Sequence, residues 1–214
     1  MEKLIPLIAV AVIAILAYRI HRKAVAARRE KLIDNYAFPQ TLTTRLRERY
    51  PHLTDQDAAL VVAALRDYFH ICNSAGKRMV SMPSQAVDVV WHEFILFTRK
   101  YERFCDQALG RFLHHTPAEA MKAPTLAQEG IKRAWKHACV RDNIKPDNAH
   151  RLPLIFAIDA QLNIPDGFRY SLNCTGRDDY CAGHIGCSSG CGGDSGSSDA
   201  GSSDSGCGGG CGGD

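Results

Sequence analysis

Between Val87 and His115 the chain gathers Asp88, Trp91, His92, Tyr101, Cys105, His114 and His115 against an otherwise apolar background. Asp88 and His92 are four residues apart, so on a helix they share one face. A carboxylate beside an imidazole fixes the ring's tautomer, the device by which carboxylates orient metal-bound histidines. Beyond Gly110 the chain is free to fold back, which would bring His114 or His115 toward His92. Three nitrogen donors, or two with the Cys105 thiolate, would satisfy zinc. Adjacent side chains diverge, so one of His114 and His115 is expected to turn inward. The plainer reading makes Asp88, Trp91, His92 and Tyr101 a structural cluster, with Cys105 a core residue. The zinc-protease pattern H-E-x-x-H is absent, because Leu96 stands where the second histidine would fall.

A second set of soft ligands lies near the C-terminus. Cys181, His184, Cys187 and Cys191 follow one another as C-x-x-H-x-x-C-x-x-x-C, and Cys207 and Cys211 add a further pair. Four such donors make a zinc set. Their surroundings are Gly, Ser and Asp, which supply no rigid frame and cannot bury enough surface to offset chain entropy. Residues 176–214 therefore read as a disordered tail. Its alternatives are idle exposed thiols or a site of lipidation or thiol exchange.

The elements that must position the first cluster read as helices. Thr41–Tyr50 is a short one, ended by Pro51. Thr54 is a good N-cap, with Asp55 and Asp57 in the first turn. Leu60, Val61, Ala64, Leu65, Tyr68, Phe69 and Cys72 then recur with helical period until Gly76. Ser84 caps the next helix, whose inner face carries Val87, Val90, Trp91, Phe94 and Ile95. A break near Arg99 precedes a helix bearing Tyr101, Phe104, Cys105 and Ala108 and ending at Gly110. Leu126–Asp142 and Leu152–Leu162 complete the set, and Phe168–Leu172 reads as a short extended piece. The class is all-α.

Charge is distributed unevenly. Arg19–Ile33 holds six basic residues against one acid, while residues 176–214 hold one Arg against six Asp. No basic stripe with interleaved aromatics appears, so nucleic acid is not an expected partner. Leu4–Ala17 is a run of fourteen apolar residues, short of the roughly 20 that span a bilayer, but Lys3–Ile20 could just cross. Residues 4–20 are accordingly expected to contact membrane as a single-pass anchor. A cleaved signal peptide and a buried soluble helix are the alternatives. Positive charge after the run would keep the following domain on the cytoplasmic side of the plasma membrane. That compartment is reducing, and nine cysteines fit a closed disulfide framework poorly. The expected organisation is an anchor with basic flank over 1–23, a basic linker helix over 24–36, a helical domain over 37–175, and the tail.

The run Pro83-Ser84, Val87-Asp88, Trp91-His92, Ile95-Leu96, Tyr101, Phe104-Cys105, Gly110-Arg111-Phe112-Leu113-His114-His115, followed by the Gly/Cys tail, resembles the glycine-rich domain-containing protein family. The likeness covers about Ala37 to Leu172 and points to its small bacterial membrane-anchored members. That family often has a further histidine two residues after the Trp-His pair. Here the position is Phe94, a departure that weakens a metal triad built on this helix alone. The resemblance implies a fold unit and a tail, and no reaction.

The function expected on these grounds is a membrane-anchored, non-enzymatic binding or scaffold module for another protein, with a metal-competent tail. The alternatives are a metal-dependent enzyme using His92, His114 and His115, and a metal-sequestering protein acting through its tail.

Overall fold

The computed structural model describes residues 4–115, 124–172, 180–182 and 185. Among them the chain forms seven helices and one small pair of strands. Helix α1 (Leu4–Asn35) is followed by α2 (Thr41–Arg49), α3 (Asp55–Ala75), α4 (Gln85–Leu96), α5 (Thr98–Ala108), α6 (Pro124–Arg141) and α7 (Leu154–Gln161). Strands β1 (Tyr170–Ser171) and β2 (Tyr180–Cys181) pair in parallel.

Helix α3 is the central element, and α1, α2, α4, α6 and α7 all pack on it. Its start is closed by a capping box: the Thr54 hydroxyl accepts from the Asp57 N–H, and the Asp57 carboxylate accepts from the Thr54 N–H. Gly76, at φ 65, ends it. The inner face of α3 meets an aromatic cluster in which Phe69, Phe94 and Phe104 are fully buried and Tyr36 and Phe38 close the edge. Phe94 occupies the position where the departure from the glycine-rich pattern was noted. Its ring lies 5.3 Å from that of Tyr101, so the site demands an apolar aromatic.

Helix α1 runs through the expected anchor and linker without a break. Its last turn belongs to the core, with Ile33 fully buried. Arg66 of α3 caps it, donating to the carbonyls of Ile33, Asp34 and Tyr36. His70 Nε2 lies 2.7 Å from Asp34 Oδ1. The membrane reading is not supported: among the described residues no helix is long and apolar enough to cross a membrane. The physical reason lies in the run itself, since fourteen apolar residues give way within the same helix to Arg19, Arg22 and Lys23. The single-pass anchor and the orientation inferred from its flanks fall with it.

Candidate functional site: two histidines on one aspartate

Position in the site begins with the start of α4. Ser84 is its N-cap, and its hydroxyl accepts from the Val87 N–H. The Ser84 hydroxyl also donates to Asp159 of α7 at 2.7 Å. Asp159 is only 2% exposed. Its carboxylate further accepts from the N–H groups of Gln85 (2.7 Å), Ala86 (3.2 Å) and Phe168 (2.9 Å). A buried anion thus sits on the first turn of α4, satisfied by backbone donors and by the positive end of the helix. Gly167 allows that approach, because a Cβ there would fall 2.7 Å from Asp159 Cβ. With the first turn held, Asp88 and His92 project one and two turns along the same face.

The third group arrives by a return loop. The chain breaks between α4 and α5 at Phe97, then runs through α5 to Gly110, whose φ of 66 closes the helix end. Arg111 Nε donates to the Gly76 carbonyl at 2.9 Å, tying the loop to the end of α3. Trp91 Nε1 donates to the Tyr101 hydroxyl at 3.1 Å, and that hydroxyl donates to the Leu113 carbonyl at 2.5 Å. All three residues are buried. This chain of hydrogen bonds fixes Leu113 beneath the site and delivers His115, two residues on, to Asp88.

His115 Nε2 lies 2.8 Å from Asp88 Oδ1, and His92 Nδ1 lies 3.2 Å from Asp88 Oδ2 while its hydrogen-bond contact is with the Asp88 main-chain carbonyl at 3.0 Å. The two imidazole rings are 4.0 Å apart between centroids. The Trp91 ring packs edge-on to His115 at 4.6 Å. One donor atom from each of Asp88, His92 and His115 lies within 4.8 Å of the others. The side chains grade outward: His115 is 13% exposed, Asp88 20% and His92 51%. Around a tetrahedral zinc with bonds of about 2.0–2.2 Å, neighbouring donors stand roughly 3.4 Å apart. The donor atoms, within 4.8 Å of one another, would have to draw closer to hold an ion at that spacing.

A match to the UCP032817-like family spans residues 28–193. The chain belongs to that family. No curated protein and no solved structure matches it. The resemblance to the glycine-rich domain-containing proteins is therefore corrected: the W-H and G-R-x-x-H-H elements here are those of a UCP032817-like chain. The match begins inside α1 and takes in its last quarter, residues 28–35, which agrees with the burial of Ile33 in the core.

Within this UCP032817-like domain the cluster is narrower than the sequence suggested. His114 is exposed and turns away, its ring 4.8 Å from Phe112. Cys105 is fully buried in the core. Burial pushes its thiol pKa up, and its hydrogen bonds go to the Leu113 backbone and to Tyr101 rather than to the histidines. Cys72 is pushed up to about 12, again by burial. Neither thiol has the thiolate character that metal binding or nucleophilic chemistry needs. Cys181 is disulfide-bonded, so its sulfur is not a free thiolate ligand. His184, Cys187, Cys191, Cys207 and Cys211 lie outside the described residues.

Two residues that hold the site in place escaped the sequence reading. Asp159 sits in an apolar run where an acid signals burial, yet nothing local names its partners. Arg111 lies inside the motif, but its acceptor, the Gly76 carbonyl, is 35 residues away.

Proposed function

We propose that this UCP032817-like chain is a binding module for a divalent transition metal, with Asp88, His92 and His115 as its ligands. The observation that carries this is the convergence of His92 Nδ1 and His115 Nε2 on one carboxylate at a half-exposed position. Two imidazoles and one carboxylate form a borderline-hard set suited to zinc and its neighbours. Trp91, Tyr101 and Leu113 then act as positioning residues, because they set where His115 stands.

A second reading rests on the same distances. Both ring nitrogens already lie within hydrogen-bonding reach of Asp88, so the cluster could serve only to fasten the return loop to α4. Zinc separates the two readings. The full chain, stripped of metal and equilibrated with zinc, is expected to retain an equivalent that Asp88→Asn, His92→Ala and His115→Ala each remove. His114→Ala should keep it. The comparison is made between full-length chains, so any metal held near the C-terminus cancels. Zinc content unchanged by all three ligand substitutions would leave the fastening role and sink the metal reading.

A further inference from the structure

We infer that the projecting half of α1 is a lipid-contact surface: it enters an anionic lipid layer from one face without crossing it, and the basic residues behind its apolar run seat on the head groups. This is independent of the metal reading. Residues 12–24 are all exposed. The domain takes hold of α1 only further on, where Arg29 lies against Gly110 and Ile33 is buried. Val12, Ile13, Ile15, Leu16, Tyr18 and Ile20 are each between 48% and 68% exposed. Large apolar side chains standing together in water mark a surface that something else covers.

The arrangement of these side chains selects the occupant. At about 100° per residue, Val12, Ile13, Leu16 and Ile20 fall on one side of the helix, and Ile15 and Tyr18 on the opposite side. A second copy packed along one side leaves the other in water, whereas lipid surrounds the helix and covers both. Charge selects the head groups. No acid stands between Leu4 and Arg29, while Arg19, Arg22 and Lys23 follow the apolar run within two turns. All three are exposed, and the Arg22 guanidinium lies 5.9 Å from the centre of the Tyr18 ring. A tyrosine and cations at the end of an apolar segment suit the level of the head groups, and the cations draw it to anionic lipid. Length limits the depth. From Leu4 to Tyr18 the helix rises about 22 Å, short of the roughly 30 Å that a crossing requires. Entry from one face therefore agrees with a helix that is not long and apolar enough to cross.

The test is flotation of the full chain with vesicles of phosphatidylcholine alone and of an equal mixture with phosphatidylglycerol. The chain should float with the mixed vesicles, and less so at high salt. Ile13→Gln combined with Leu16→Gln should abolish flotation. Arg22→Gln combined with Lys23→Gln should weaken partition onto the mixed vesicles by about 30-fold and leave phosphatidylcholine binding unchanged. These positions are exposed and precede the part of α1 that the domain holds, so the urea midpoint of each variant should match the parent's. Absent flotation, or equal flotation of the parent and the Ile13→Gln, Leu16→Gln variant, would overturn the lipid contact. Binding indifferent to phosphatidylglycerol would overturn the role of the basic residues. A chain that does not float but sediments as a dimer, which the same double variant dissociates, would give the surface to a second copy instead.

Discussion

Replacing Tyr101 by Phe removes one oxygen atom from the core and nothing else. Tyr101 is 1% exposed, so water does not readily take the place of its hydroxyl. Three groups lose a partner: the Trp91 indole N–H, itself buried, the Leu113 carbonyl, and the weakly bonding Cys105 thiol. A buried polar group left unpaired costs about 1–3 kcal/mol. The bond between the Leu113 backbone and Cys105 favours the thiolate, so it is donated by the Leu113 N–H to the sulfur and leaves the Leu113 carbonyl unprotected. The loss falls on both Trp91 and Leu113, and the sum is about 2–6 kcal/mol. Urea unfolding of the full chain should show the midpoint fall at an unchanged slope. The same substitution loosens the segment that carries His115, so zinc affinity, measured by competition with a chromophoric chelator, should drop by about 10-fold or more. A stability change below about 0.5 kcal/mol would refute the accounting of buried hydrogen bonds, since that is the scatter of surface substitutions. Lost stability with unchanged zinc affinity would refute the positioning role and leave Tyr101 as core packing.

Two further outcomes follow from the structure. Asp159→Ala strips four donors of their acceptor at the head of α4 and should cost about 3–5 kcal/mol, read by the same urea transition; a cost under about 1 kcal/mol would contradict the anchoring role. The His70 pKa is lowered, first by burial and then by Arg141, against an opposing pull from Asp34. The folded state therefore binds fewer protons at His70 than the unfolded chain does. Its contribution is present above the unfolded value of about 6.5 and is lost as pH falls toward the folded value. His137 is lowered too, by burial and by Arg78, Lys136 and Arg133, so acid destabilisation should persist but flatten in His70→Gln. An unchanged slope below about pH 6.5 would exclude His70 as a contributor.

The elements were legible because their signals are local. Thr54, Ser84, Gly76 and Gly110 mark helix ends through bonds spanning a few residues, and the inner faces of α3, α4 and α5 follow from a period of 3.6. The pairing of Asp88 with His92 was legible for the same reason, since i and i+4 meet on any helix. The choice of His115 over His114 was not, because it depends on a hydrogen-bonded chain from α4 through α5 to the loop. The exclusion of Cys105 depends likewise on burial against α3.

At the N-terminus the apolar run by itself suggested an anchor, but hydropathy in a window cannot show that the helix continues into the domain and ends beneath Arg66. Sequence alone thus determined where helices begin and end and which faces turn inward, because those follow from bonds and periods within one segment. Tertiary structure alone decided which polar groups meet, since Asp159, Arg111 and His115 find partners 27 to 75 residues away.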